Sequence, residues 1–126
     1  MQNSPSQFYK KLLGGKGELI VEQLLIAKGY QILEKNYKTK VGEADLVAKN
    51  GKLLVFVEVK TRTSNEFGRP AEAVGAQKRR RYVKLAEFYL LIHPEYREYF
   101  VRFDVAEVFG SSGEKVNYIE NAFICD

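Results

Sequence analysis

The chain has 126 residues, 45% of them hydrophobic and only 3 of them proline, which excludes disordered and fibrous classes. One domain over residues 1–126 is expected, with a core large enough to need neither disulfides nor structural metal. A net charge of +4 suits a nucleic-acid partner without requiring one, while the single cysteine, Cys125, excludes an internal disulfide and a cysteine-based zinc site.

In chain order, Ser4-Pro5 is a helix start, and the segment from Lys16 to Lys28 carries Ile20, Val21, Leu24, Leu25 and Ala27 on one stripe before Gly29 stops it. Glu18 lies on the border of that stripe and Glu22 further out, so Glu18 is the one expected to face the body of the protein. The N-terminus has no signal-like apolar run and no segment is long enough to span a bilayer, so a soluble cytoplasmic protein with no membrane partner is expected. Three strands follow, Tyr30 to Lys38, Glu43 to Lys49 and Lys52 to Thr61, the last two joined by Asn50-Gly51, the preferred dipeptide of a type I′ turn. A looser segment, TSNEFGRPAEAVGA, leads to a helix from Gln77 to Ile92 with Val83, Ala86 and Leu90 on one side and Pro94 beyond its end. Two further strands, Tyr99 to Phe109 and Lys115 to Ile119, flank the turn-prone GSSGE. This order predicts an α/β fold: a mixed central sheet of about five strands flanked by helices, with the hairpin at its centre.

With Asn50-Gly51 as a two-residue loop, Val47 opposes Leu54, Asp45 opposes Phe56, and Glu43 opposes Glu58. One face of the hairpin, Ala44, Leu46, Ala48, Leu53, Val55, Val57 and Val59, is wholly apolar and is expected to be core. The other face is divided: Val47, Leu54 and Phe56 near the turn are apolar, and Glu43, Asp45, Glu58 and Lys60 gather at the far end. A solvated face would be polar along its length, so the apolar half implies cover and places the carboxylates at the edge of a cleft. Directly opposed like charges cost roughly a few tenths to 1 kcal/mol per pair, so a compensating cation is expected. Lys60 is one candidate. A divalent ion is the other, since Mg²⁺ takes one or two carboxylates together with water and phosphate oxygens, and Asp45 and Glu58 would supply them.

Asp45 followed by Glu58-x-Lys60 on the next strand resembles the PD-(D/E)xK pattern of restriction-endonuclease-like nucleases, with Ala44 where that pattern has proline. GGKGE (Gly14 to Glu18), GEADLV (Gly42 to Val47), FVEVKTR (Phe56 to Arg62), FGRPAEAV (Phe67 to Val74) and NAF (Asn121 to Phe123) together resemble the uncharacterised bacterial YraN family, UPF0102, over nearly the whole chain. Gly75-Ala76 departs from the Thr-Pro usual in the family before the second helix, which weakens the helix cap and touches no catalytic position. The resemblance implies a restriction-endonuclease-like fold and a Mg²⁺- or Mn²⁺-dependent endonuclease acting on DNA, branched or otherwise structured, as in archaeal Holliday-junction resolvases. It implies Asp45 and Glu58 as metal ligands, Lys60 as the cation that orients the attacking water or steadies the pentavalent phosphate, and Glu18 as an outer or second-site carboxylate. Glu43 is then either a third metal ligand or a neighbour that tunes the others. A homodimer is also implied, because a four-way junction presents two symmetric cleavage points.

Lys78, Arg79, Arg80, Arg81 and Lys84 cluster near the start of the long helix, where the macrodipole disfavours positive charge and a phosphate backbone would compensate. Arg62 and Arg69 flank the loop beside the candidate site and would add backbone contacts, which fix position without reading sequence. His93, the only histidine, follows the helix where the dipole favours it, which leaves no basis for a His-metal or His-base site. The tyrosines and phenylalanines fall mainly at packing positions, so core is their expected role. Two other functions compete: a non-catalytic nucleic-acid-binding module, and an adaptor that docks a DNA-processing complex. Neither needs opposed carboxylates near a phosphate backbone that they repel.

Overall fold

The computed structural model describes residues 5–62, 76–110 and 115–122, with side chains from residue 16 onward. Helix α1 (Pro5–Ala27) is followed by β1 (Gln31–Lys38), β2 (Glu43–Asn50) and β3 (Leu53–Arg62), then α2 (Ala76–Ile92), a 3₁₀ turn (Pro94–Tyr96), β4 (Phe100–Phe109) and β5 (Lys115–Ile119). The strands form one sheet in the order β1-β2-β3-β4-β5. Neighbours pair antiparallel except β3 with β4, which run parallel. A parallel pair needs a long crossover, and the segment containing α2 supplies it. This is the mixed α/β sheet flanked by helices that the sequence predicts.

The two helices cover opposite faces. Val21 and Leu25 of α1 pack on Leu46, Ala48, Val55, Val57, Ala106 and Val108, whereas Tyr82, Leu85, Ala86 and Tyr89 of α2 pack on Val47, Leu54, Phe56, Phe103 and Val105. Covered on both sides, Leu54 to Val57 of β3 are completely buried, which explains why the strand reads as an unbroken apolar run instead of alternating. Phe56 and Tyr89 meet edge to face at 5.7 Å, as do Tyr82 and Phe103 at 5.9 Å, so these aromatics serve the core as expected.

Four local expectations change. The hairpin turns on Gly51-Lys52, with Asn50 opposite Leu53, Lys49 opposite Leu54 and Leu46 opposite Val57. Gly51 alone carries a positive φ there, +60°, which is the pattern of a II′ turn with glycine at its first central position. The register therefore slides by one residue on each strand, and Glu43 does not face Glu58. The faces survive this change because the slide is two residues in total and the pleat repeats every two. On α2 the buried stripe is Tyr82, Leu85, Ala86 and Tyr89, with Val83 and Leu90 at its margins. Glu22 is not turned away: its side chain is only 12% exposed and pairs with Lys35 of β1 at 2.8 Å. His93 stacks on Tyr89 with ring centroids 4.2 Å apart, which gives it a packing role.

Two features brace this framework. Gly17 of α1 is buried against the end of β3, where an added Cβ would lie 2.8 Å from Thr61 Oγ1 and 3.6 Å from Val59 Cγ1. Its missing side chain lets the helix approach the strand, carrying Glu18 with it. On the same side of the sheet, fully buried Asp104 accepts from Arg102 Nε (2.9 Å) and Nη2 (2.9 Å), from the Tyr118 hydroxyl (2.6 Å) and from the Asn121 amide (2.8 Å). Arg102 also donates to the Tyr30 hydroxyl at 2.8 Å, so one carboxylate ties β4 to β5 and to the corner between α1 and β1. Burial, then the bond to Asp104, pushes the Tyr118 phenol upward, which keeps it a donor.

Asp104→Ala should cost about 3 kcal/mol or more in denaturant melts, because it leaves a buried guanidinium, hydroxyl and amide without their acceptor. Gly17→Ala should lower stability even though alanine gains about 1 kcal/mol of helix propensity over glycine, and adding Thr61→Ala should recover part of the loss. Thermal melts of the single and double variants check both statements.

Candidate functional site

The β2–β3 ladder ends at Leu46 and Val57, while β2 stays paired with β1 as far as Glu43. Where the strands part, Asp45 replaces the missing ladder acceptor: its Oδ2 takes the Val59 N–H at 2.7 Å. Ala44 correspondingly leaves the face on which alternation places it with Leu46 and Ala48 and joins the cluster under α2. The β1–β2 turn closes on Thr39, whose Oγ1 accepts from Val41 N and Gly42 N at 3.2 Å and donates to Gly42 O at 2.8 Å. The start of α2 lies directly against this turn, since a Cβ on Gly42 would sit 3.5 Å from the Arg81 carbonyl. Between them opens a cleft of about 520 Å³, with Glu43, Asp45 and Glu58 on one wall and Lys78, Arg81 and Tyr82 on the other.

Glu58 is the most constrained of these acids. Its side chain is 16% exposed, Oε1 contacts the Lys78 ammonium, and Oε2 is buried with no hydrogen-bond partner among the described residues. Burial pushes the Asp45 carboxyl above the usual carboxylate range; the Val59 N–H opposes that shift, and the charges of Glu58 and Glu43 add to it. Glu18 reaches Asp45 from α1, and burial followed by the Asp45 charge raises its carboxyl too. Tyr82 is held protonated by burial and then by Glu58, Asp45 and Glu43. Glu18, Glu43, Asp45 and Glu58 thus share one electrostatic field, as the sequence pattern anticipates.

The cation that pairs with Glu58 is Lys78, not Lys60, while the charge of Lys38 and a hydrogen bond from Asn36 answer Glu18. Lys78 follows the helical repeat of Tyr82, Leu85, Ala86 and Tyr89, so its place on the sheet-facing stripe was legible as a spacing, although its neighbours made it look like one of a solvated run. Lys60 stands two residues beyond Glu58 in the β3 repeat, in register with Glu107 of β4, and makes no hydrogen bond or ion pair among the described residues. Arg80, Arg81 and Lys84 are exposed on α2, and Arg79 is half-buried with a partner. Arg62 is drawn instead to the buried Glu107, 3.4 Å away, which also accepts from Asn117 at 3.0 Å. Arg69 lies outside the described residues. Tyr82, as a phenol set among carboxylates, and the Thr39–Gly42 turn are site components that the strand pattern did not reveal.

No three His, Cys, Asp or Glu side chains converge into an all-protein cation cage among the described residues, so Glu43 as a third ligand gains no geometric support. Two carboxylates do fit a hard divalent ion, which typically takes one or two of them and completes its shell with water and phosphate oxygens. The buried Glu58 Oε2, without a hydrogen-bond partner among the described residues and beside an Asp45 carboxyl raised by burial, is the observation in favour of that fit.

A family model described as "Uncharacterised protein family UPF0102" matches residues 17–108. A UPF0102 protein of Caldanaerobacter subterraneus subsp. tengcongensis is 49% identical over 118 residues, covering 90% of this chain and 96% of the relative. One from Alkaliphilus metalliredigens is 47% identical over 113 residues, covering 90% and 98%. Among solved structures, Pyrococcus furiosus SfsA in complex with Ca²⁺ superposes with a TM-score of 0.41 at 16% identity over 88% of this chain and 63% of its own, and SSO0001 with 0.41 at 19% over 98% and 55%. No helix among the described residues is long and apolar enough to cross a membrane.

The raised Asp45 carboxyl has a measurable consequence. A carboxylate whose folded-state pKa lies above its unfolded value contributes stability that is complete below the unfolded pKa and lost as pH rises through the folded one. Asp45→Asn keeps an oxygen for the Val59 N–H and removes the charge, so in EDTA at neutral pH it should melt at a higher temperature than the wild type. The gain should vanish below the ordinary carboxylate range, and thermal melts across pH test it.

Proposed function

We propose that this chain, which belongs to the UPF0102 family, is a Mg²⁺- or Mn²⁺-dependent endonuclease that hydrolyses phosphodiester bonds in DNA, with branched or structured DNA as its substrate class. The observation that carries the reading is the buried Glu58 oxygen beside Asp45, without a hydrogen-bond partner among the described residues, at a cleft whose opposite wall is the basic start of α2. When bound, the divalent ion would supply Lewis-acid polarisation of the phosphate and a nucleophilic water near neutral pH. Asp45 and Glu58 would hold it. The Val59 N–H fixes Asp45 in one orientation, so little reorganisation is needed on binding. Lys60, beyond Glu58 and without a partner among the described residues, would neutralise charge on the scissile phosphate or orient the water. Glu18 would accept from outer-shell water or serve a second ion, and Glu43 would add negative potential at the mouth.

Arg80, Arg81 and Lys84 would contact the backbone, which fixes position without reading bases, so binding should be sequence-independent. A homodimer would present two such clefts to a junction. The competing module and adaptor readings are weakened by the same carboxylates, whose field repels a phosphate backbone unless a cation intervenes.

Calorimetric titration of Mg²⁺ and Mn²⁺ into wild type and Asp45→Ala, beside cleavage of a labelled four-way junction, tests the proposal. Wild type should bind the ion and cut; Asp45→Ala should lose both, and Lys60→Ala should retain ion binding while cutting about 10²-fold more slowly or worse. Ion-free cleavage, or cleavage that survives both substitutions, would refute it. In the same assays with uncleaved DNA, Arg80→Ala and Lys84→Ala should each weaken binding across sequences and flatten the salt dependence by about one phosphate contact.

A further inference from the structure

Lys78 does two things at once. It stands on the sheet-facing stripe of α2 and lines the cleft, and its ammonium satisfies only one of the two Glu58 oxygens. The other, Oε2, is closed off from solvent yet has no hydrogen-bond partner among the described residues, so there the carboxylate remains an incomplete acceptor beside Asp45. A divalent ion approaching that oxygen would bring two positive charges next to the one already on Lys78, and one carboxylate holds both cations poorly. The lysine has somewhere to go: its side chain is 40% exposed, its stem is flexible, and the cleft it lines also contains Arg81.

We propose that Lys78 is a resident counter-ion that the divalent cation displaces: its ammonium holds Glu58 while the cleft is ion-free and is released toward the phosphate-facing side when the ion arrives. This rests on the metal-dependent reading above and adds a division of labour between two lysines. Lys60 lies on β3 with no partner among the described residues and does not answer the acidic field in the ion-free protein. Lys78 does answer it, and in doing so anchors the first turn of α2, where Arg79, Arg80 and Arg81 follow in sequence and the helix dipole opposes them. Release then adds a cation to the cleft at the moment a phosphate can be bound, which couples ion binding to nucleic-acid affinity.

The test is titration of Mn²⁺ and Mg²⁺ into wild type, Lys78→Met, Lys78→Arg and Lys84→Met without DNA. Lys84→Met removes the same charge from an exposed position on the same helix and controls for long-range effects. Lys78→Met should bind the ion about tenfold more tightly than wild type, Lys78→Arg no more tightly, and Lys84→Met close to wild type. In wild type, saturating Mn²⁺ should speed labelling of the Lys78 amine by an amine-reactive ester, read by mass spectrometry; this second readout stands even where Lys78→Met does not fold. Equal or weaker ion binding by Lys78→Met, or Lys78 labelling indifferent to Mn²⁺, would overturn displacement and leave the nuclease reading intact. Absence of ion binding in every variant, wild type included, would overturn both.

Discussion

Several carboxylates held close together, partly out of water, at the point where β2 and β3 separate, form the constraint on which the rest of the structure depends. Burial and mutual repulsion raise Asp45 and Glu18 above their ordinary range, and a buried carboxylate without compensation is among the more destabilising features a fold can carry. The compensation visible in the chain is partial. Val59 donates one backbone N–H to Asp45, Lys78 supplies one ammonium to Glu58, Asn36 and Lys38 answer Glu18, and one Glu58 oxygen has no hydrogen-bond partner among the described residues. A protein selected only for stability would place apolar side chains there, as β3 does at Leu54 to Val57. The incomplete compensation is the ground on which a divalent cation is proposed as the complement of the cleft.

The remainder of the fold serves to hold that arrangement. The parallel pairing of β3 with β4 sends the chain out through α2 and back, which brings a helix start with its basic residues over the carboxyl end of β3. Open α/β sheets commonly bind ligands at the carboxyl ends of their strands for this reason. From the other face, Gly17 allows α1 to touch Val59 and Thr61, so that the next residue, Glu18, reaches Asp45. The Asp104 network contributes nothing to the cleft directly. It locks β4, β5 and the α1–β1 corner on the side of the sheet that α1 covers, and a rigid sheet is what keeps a cluster of like charges from relaxing apart.

The hairpin illustrates how much of this was legible from the residues. Its two faces follow from alternation alone, and apart from Ala44 they are the faces observed, although the register inferred from Asn50-Gly51 is displaced by one residue on each strand. The specific opposition of Glu43 to Glu58 did not hold, because which dipeptide forms the turn depends on where a single positive φ is tolerated, and Gly51 tolerates it next to either neighbour. The partners of Glu22 and Arg62 were not legible for a related reason. Each finds a partner, Lys35 or Glu107, on a strand remote in sequence, and no local period announces such a partner.

By itself the sequence determined the element order, the α/β class, the buried and charged halves of the hairpin and the identity of the acids that share the cleft, since these depend on periodicity, turn chemistry and composition within short windows. The tertiary structure alone decided which cation answers those acids. Lys60 is adjacent to Glu58 along the strand, but Lys78 reaches it across space from the first turn of a helix, because the β3–α2–β4 crossover lays that turn over the strand end. Ion pairing is governed by distance and dielectric in three dimensions, and a linear pattern encodes neither.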